Sequence, residues 1–522
     1  MAPRLLSWLS ALAALLAVVV VAAAAPNVVI FLTDDQGYAD LSVAGHPTIR
    51  TPAIDALAQG GVRFTQWISA NAVCTPSRAA LLTGRLPVRS GMTGTIMLRM
   101  WSAQLATGLP HEEITIAEAL KAADANYTAA LVGKWHLGIN RNTSTDGYYL
   151  PRQHGFDRFY GLPVSNKAAC EANATYPGDP LKCFVTRDET VVEQPLVHAT
   201  LAERLAREAV SFVTANAGVR PFFLLYAFAQ PHVPLFASPE SAGRSRRGRY
   251  GDAVEDIDRA VQRVMDAVHA TGQGDNTLVI FTSDNGGWIE EGTDGGSNGP
   301  LRGGKSQDYE GGLRVPGIVW GPGLGVRAGY VSHALVSTMD VFNTVLDYAG
   351  APVPDDRPID GRSLRGILNG SEPDAVTADH RFLFHYCGYK LHAIRYGPWK
   401  AHFATPRLSN PVLNTCTYVL FPEAFPTTVG CGCVDPLSTP HDPPLLYHLD
   451  TDIGERYPVD PATDPDAAAA LQAILAEKAR HEAEMVFGPS QVDTLPHEEL
   501  QPCCNPPACY CTEADPTAAP AA

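Results

Sequence analysis

Beyond its first 25 residues the chain lacks any apolar run long enough to cross a bilayer, which takes about 20 residues, so the mature protein is expected to be soluble. It also lacks a dense basic tract. Its 39 Lys and Arg face 55 Asp and Glu, a formal charge of −16, and this argues against a nucleic-acid partner, whose phosphates call for clustered cations. The exception is a short basic loop, Arg244, Arg246, Arg247 and Arg249, read as a solvated loop in preference to a binding patch. No internal repeat is present. Charged residues make up only 18% of the chain against 45% hydrophobic, the balance of a globular protein and not of a disordered one.

What is present sets the compartment. Arg4 precedes an apolar stretch from Leu5 to Val21, and Ala22 to Ala25 supply small residues for signal peptidase. A membrane anchor would share the apolar stretch, but the alanine-rich end and the abrupt start of a folded strand favour cleavage of residues 1–25. Asn126, Asn142, Asn173 and Asn369 each begin an N-x-S/T acceptor. With 16 histidines the chain loses most of its negative charge near pH 5, in keeping with an acidic compartment. Secretion is therefore expected, to the lysosomal lumen or the extracellular space. The 11 cysteines leave one over. Cys170 and Cys183 bracket a loop; Cys387, Cys416, Cys431 and Cys433 share a segment; Cys503, Cys504, Cys509 and Cys511 crowd the tail. Cys74 stands alone.

A chain of 522 residues can hold one large α/β domain and a smaller companion. Four β-rich apolar runs end abruptly in polar residues: Asn27–Leu32 before Asp34-Asp35, Thr128–Val132 before Lys134 and His136, Phe222–Ala229 before Pro231-His232, and Thr277–Thr282 before Asp284-Asn285. Helical spacing lies between them. Thr51 is expected to cap a helix with Pro52 at its first position and Gly60 just past its end. Thr115 is expected to cap another reaching Ala123. Further helices are expected over 198–217, 253–270, 338–349 and 466–485. Strands alternating with helices predict a mostly parallel sheet covered on both faces. Ligands of such sheets bind outside the carboxyl ends of the strands, so the four polar clusters are expected to meet. Short strands over 382–386, 392–396 and 399–403 predict a smaller C-terminal unit. The expected division is a leader at 1–25, a catalytic domain at 26–380, and a C-terminal subdomain with a disulfide-rich tail at 381–522.

The most telling segment is Cys74-Thr-Pro-Ser-Arg78-Ala-Ala-Leu-Leu-Thr83-Gly84-Arg85. Pro76 pre-sets a helix start, so residue 74 falls at a helix N-terminus, where free N–H groups and the macrodipole favour an anion. Asp34, Asp35, Asp284 and Asn285 form an all-oxygen set suited to Ca²⁺ or Mg²⁺. Arg78, Lys134, His136, His232 and Lys305 can offset negative charge and move protons.

These segments resemble the sulfatase family: C-x-P-S-R followed by L-T-G-R, then Gly133-Lys134-Trp135-His136-Leu137-Gly138, Pro231-His232-x-Pro234, and Gly304-Lys305 through Tyr309-Glu310-Gly311-Gly312. The resemblance runs from about Pro26 to Cys511. It implies an alkaline-phosphatase-like α/β sandwich with a short antiparallel sheet in the C-terminal unit, and hydrolysis of sulfate monoesters. It implies that Cys74 is oxidised to formylglycine by a formylglycine-generating enzyme. One hydroxyl of the hydrated aldehyde attacks sulfur, and the other expels sulfate as the aldehyde re-forms. It further implies Ca²⁺ on Asp34, Asp35, Asp284, Asn285 and residue 74. Arg78 and Lys134 would hold the formylglycine, His136 would take a proton as sulfate leaves, and His232 and Lys305 would serve the leaving group. Lys134, His232 and Lys305 would also bind substrate, as would Ser165, for which a plain loop serine is nearly as ready a reading.

The tail resembles the arylsulfatase A type, and the segment around Cys387 the steroid sulfatase type without its membrane hairpin. That analogy implies the bridges Cys170–Cys183, Cys387–Cys433, Cys416–Cys431, Cys503–Cys509 and Cys504–Cys511. Gly303 stands where the arylsulfatase A type has a cysteine. Sulfated lipid, sugar and steroid substrates all stay open, as does a homodimer. Two rivals stand beside this reading: a phosphate or phosphonate ester hydrolase of the same fold, and a non-catalytic extracellular binding protein.

Overall fold

The computed structural model describes residues 25–94, 103–166, 170, 180–373, 382–406 and 438–513. Expectations about the leader, the acceptor at Asn173 and the bridges to Cys416, Cys431 and Cys433 fall outside these residues.

The central sheet has ten strands: β1 Asn27–Thr33, β2 Val62–Ile68, β3 Thr128–Lys134, β4 Arg158–Leu162, β5 Val185–Arg187, β6 Thr190–Glu193, β7 Phe222–Ala227, β8 Thr277–Ser283, β9 Gly317–Trp320 and β10 Tyr330–Ser337. Their spatial order is β10-β2-β9-β8-β1-β7-β3-β4-β5-β6. The run from β8 to β4 is parallel, while β9 and the β5–β6 edge run antiparallel. Strand β1 shows why the sheet is buried on both sides. Val28, Ile30 and Leu32 pack into one apolar cluster with Leu81, Leu120 and Phe342. Val29 and Phe31 point the other way, toward Ile54, Leu205 and Val261. Side chains alternate faces along a strand, so a continuous apolar run serves two helical layers at once. Helices Cys74–Thr83, Ile116–Ala123 and Asp340–Ala349 cover the first face; Pro52–Gly60, His198–Asn216 and Arg249–Ala270 cover the second.

Several element boundaries shift. The helix expected from 253 begins at Arg249, which takes the last arginine of the basic loop into its first turn. The one expected from 338 begins at Asp340. Thr115 forms a full capping box with Glu118. Thr51 sits at the N-cap position but does not cap: its hydroxyl donates to Asp55 and accepts from the Ser42 N–H. Asp258, from the helix Arg249–Ala270, accepts the free Ala53 and Ile54 N–H groups in its place, at 3.2 and 2.8 Å.

The C-terminal unit is a four-stranded antiparallel sheet, β11 Phe382–Cys387, β12 Lys390–Tyr396, β13 Trp399–Pro406 and β14 Ser438–His448. Ile394, Ala401 and Leu446 pack on Ala467, Ala470 and Ile474 of the helix Pro465–Glu484. Cys170–Cys183, Cys503–Cys509 and Cys504–Cys511 are bridged as expected, and Cys387 is also disulfide-bonded. Cys74 is a free, buried thiol. No described helix is long and apolar enough to cross a membrane.

Candidate active site

Strands β8, β1, β7 and β3 are neighbours and parallel, so their carboxyl ends lie along one edge of the sheet. That edge collects the polar residues. Asp34 and Asp35 follow β1, Lys134 ends β3, His232 follows β7, and Asp284 and Asn285 follow β8. The chain turns sharply there: Asp35 and His136 hold φ of 66° and 64°, conformations that non-glycine residues adopt at a cost of about 1–3 kcal/mol. Glycines permit close approach. A Cβ at Gly133 would lie 1.8 Å from the Ala227 carbonyl oxygen, and one at Gly286 would lie 1.9 Å from that of Gly311.

Cys74 begins the helix Cys74–Thr83, with Val73 at the N-cap. Its Sγ lies 3.4 Å from Asp34 Oδ1 and 4.0 Å from Asp35 Oδ1. Each carboxylate has its own cation. Lys134 Nζ donates to Asp34 Oδ2 at 2.7 Å, and Lys305 Nζ to Asp35 Oδ2 at 2.6 Å. Arg78, one turn along the helix from Cys74, donates to Asp284 Oδ2 through Nε at 2.9 Å and reaches Asp34 at 3.5 Å. Asn285 Nδ2 donates to Asp35 Oδ1 at 2.8 Å. Its own Oδ1 is buried with no hydrogen-bond partner. Ligand atoms of Asp34, Asp35, Cys74 and His232 all lie within 4.8 Å of one another.

The electrostatics follow from burial and neighbours. Burial would raise the Asp34 carboxyl, but Lys134, His232, Arg78 and Lys305 outweigh it and hold it well below the usual range. Burial pushes Asp284 up to about 6 against the pull of Arg78. Burial also drives the Cys74 thiol well above its ordinary value, so as a thiol it is a poor nucleophile. Burial, with Lys305 next, lowers His232 to about 4. His232 Nδ1 faces the Val233 carbonyl at 2.5 Å. A carbonyl only accepts, so the neutral ring carries its proton on Nδ1 and leaves Nε2, 3.5 Å from Asp35 Oδ2, without one.

Of the residues singled out by sequence, Asp34, Asp35, Cys74, Arg78, Lys134, His232, Asp284, Asn285 and Lys305 come together. His136 lies at the same strand end, its carbonyl accepting from Thr75 Oγ1 at 3.1 Å. Ser165 is buried in its own loop, its hydroxyl donating to the Asn166 carbonyl at 3.0 Å. Two residues escaped the sequence. Trp288 lies under the Lys305 ammonium, 4.3 Å from Nζ to the ring centroid, and edge-on to His232; its place three residues after Asn285 was the available signal. Ser69 donates to the Asp284 main-chain carbonyl, and nothing in the sequence marked it.

A buried strand-edge site that sets an oxygen-donor group against three fixed cations around one unpaired thiol belongs to a hydrolase that processes anionic esters. The sulfatase family model matches residues 26–351, and the model of the C-terminal region of aryl-sulfatase matches 378–512. Human arylsulfatase A is 39% identical over 535 residues, spanning 97% of this chain and 98% of that one. Human steryl-sulfatase is 36% identical over 562 residues, spanning 92% of each. A solved sulfatase from Pseudoalteromonas sp. superposes with a TM-score of 0.71 at 26% identity, covering 93% of this chain and 97% of that one. The chain belongs to the sulfatase family and is a sulfate ester hydrolase, built on the alkaline-phosphatase-like fold that the family shares.

Proposed function

We propose that the site cleaves sulfate monoesters through a formylglycine made from Cys74, beside a divalent cation held by Asp34, Asp35, Asp284 and Asn285. The observation that carries this reading is the setting of Cys74: it starts a helix and faces two carboxylates, each neutralised by a different lysine. The donor set fits a hard cation, three carboxylates and one amide oxygen that has no partner within the protein. Ca²⁺ is the family's ion, and Mg²⁺ suits the same donors. When bound, the cation supplies positive charge for the sulfate oxygens and the residue-74 hydroxyl.

The chain's own residues do the rest. The first N–H groups of the helix Cys74–Thr83 face the anion. Arg78 and Lys134 brace Asp34 and Asp284 and hold residue 74. Lys305 and His232 stand together over Trp288 on the side of the leaving oxygen, where the ammonium offsets growing charge and the imidazole donates a proton. Donation from Nε2 requires the charged ring, because the neutral one holds its proton on Nδ1. His136 takes the proton that re-forms the aldehyde as sulfate departs, and Ser165 contributes to the wall that substrate touches. Residues 26–380 form the catalytic domain and 381–522 the C-terminal subdomain. Disulfides and the apolar leader support a secretory route, to the lysosome or outside the cell, on which a formylglycine-generating enzyme is the required partner.

Paired rate measurements on nitrophenyl sulfate and nitrophenyl phosphate, before and after chelation, test the reading. Faster sulfate hydrolysis that chelation abolishes is expected. Preference for phosphate, or indifference to chelation, contradicts it.

A further inference from the structure

The basic loop finds a use beside the active site. A hollow of about 680 Å³ lies against it, a volume within the usual range for ligand sites. Its walls come from segments that run directly out of the catalytic turns: Ala39 lies four residues beyond Asp35, Ile289 follows Trp288, and Gly303 lies two residues before Lys305. In a chain of net charge −16 the lining contains no carboxylate, but does contain Arg247, Arg456 and His46. Among the described residues neither guanidinium has a carboxylate within 4.0 Å; the nearest acids sit behind the wall, Asp452 accepting the Arg456 main-chain N–H at 2.7 Å and Asp40, which feels the Arg247 charge, accepting the Ser297 N–H at 2.9 Å. The Arg247 guanidinium is fixed instead by neutral acceptors, the carbonyls of Thr293 at 2.7 Å and Gly295 at 2.9 Å, so it is positioned without being neutralised. His46 Nδ1 accepts from the Thr48 and Ile49 N–H groups at 3.2 and 3.0 Å, which places the ring's proton on Nε2 as a donor. Ser297 Oγ accepts from the Gly299 N–H at 3.3 Å and keeps its hydrogen to give. One guanidinium held by neutral acceptors, a second exposed one and two neutral donors, in a lining without a carboxylate, make an anion site. The lining also sets Ser297 and Asn298 beside Ala39, Pro47, Ile289 and Leu301, a mixture of hydrogen-bonding and apolar groups that suits the hydroxyls and C–H faces of a sugar ring.

We propose that this hollow is an accessory subsite for a second anionic group, a sulfate or carboxylate, on the substrate whose first sulfate ester sits at residue 74. The preferred substrates are then multiply anionic sulfated saccharides. This rests on the sulfate ester hydrolysis proposed above and adds where the remainder of the substrate goes.

The test uses Arg247→Met and Arg456→Met with three probes: a disulfated disaccharide, its monosulfated counterpart and nitrophenyl sulfate. A charge-assisted hydrogen bond contributes about 1.5–3 kcal/mol, so each variant is expected to raise KM for the disulfated probe about ten- to a hundredfold. Nitrophenyl sulfate turnover should stay within about twofold. Arg456 is exposed, so its variant keeps the fold if Arg247→Met does not. Wild-type protein that treats the two saccharides alike, or variants that leave the disulfated KM unchanged, overturn the subsite. Loss of nitrophenyl sulfate turnover by the wild type strikes instead at the underlying reaction.

Discussion

The molecule holds two buried charge clusters of similar size that behave in opposite ways. One is the strand-edge site. The other joins the C-terminal sheet to the turn that follows Lys305. There, Lys400 Nζ lies 3.1 Å from Glu310 Oε1 and 3.2 Å from Glu455 Oε1, Arg395 is 3.1 Å from Glu310 Oε2, and His402 is 2.7 Å from Glu455 Oε1. The fourth oxygen, Glu455 Oε2, accepts the Glu310 N–H at 2.7 Å. Every carboxylate oxygen is answered by protein. Burial works against both acids, but Lys400 leads the cations that hold each below its ordinary value. At the strand edge the balance is left incomplete: Asp284 is pushed up to about 6 and Asn285 Oδ1 has no partner. A cluster whose carboxylate oxygens are all answered, with His402 Nδ1 and no oxygen left over, is architecture; one that leaves a ligand oxygen over is built for something that comes and goes.

Breaking each cluster should therefore damage different properties. Cys74→Ala should lower turnover by about 10⁴-fold or more while leaving the melting temperature nearly unchanged, since it removes a reactive group. Lys400→Met should do the reverse in kind. It strips two buried glutamates of their shared cation, and breaking such a pair costs about 3–5 kcal/mol, to be read from urea unfolding. If Lys400→Met leaves stability intact, the two clusters do not differ as described.

The next effects sharpen the division within the site. His232→Ala should slow hydrolysis of an alkyl sulfate by about 10²–10⁴-fold, the range of general acid catalysis, and nitrophenyl sulfate distinctly less. His136→Ala acts after the leaving group has gone, so both substrates should suffer alike. Because the acid form of His232 is the charged ring, kcat/KM on the alkyl sulfate should fall as pH rises through about 4 in the free enzyme. Equal losses for His232→Ala on both esters would shift the acid role to Lys305.

Smaller shifts separate the clusters by pH. A proton on Asp284 competes with the cation, so affinity for added Ca²⁺ should weaken as pH drops below about 6, measurable by calorimetry. Glu310 and Glu455 titrate below their unfolded values. The stability they contribute is fully present above the unfolded Glu pKa of about 4.3 and is lost progressively as pH falls from there toward their lower folded values. Unfolding at pH 5 and pH 3.5 should show that loss only at the lower pH.

Much of the site was legible because its residues close four apolar runs, and a parallel sheet places such ends together. The Cys74 helix was legible from Pro76, but it ends at Thr83, where Gly84 takes φ of 68°, short of the Arg85 to which the local pattern carried it. What escaped depends on partners distant in sequence. Asp258 caps a helix some two hundred residues earlier, a contact that no local pattern announces. Arg395 and Lys400 lie in short strands with nothing nearby in sequence to mark a partner, yet they are buried against Glu310. The antiparallel β9 is only four residues long, too short for periodicity to speak.

The most direct test of the account is the mass of the tryptic peptide carrying residue 74, taken from secreted, active protein. The account predicts an aldehyde or its hydrate in place of the thiol, with turnover proportional to the modified fraction. Fully active protein whose Cys74 is an unmodified thiol would contradict it.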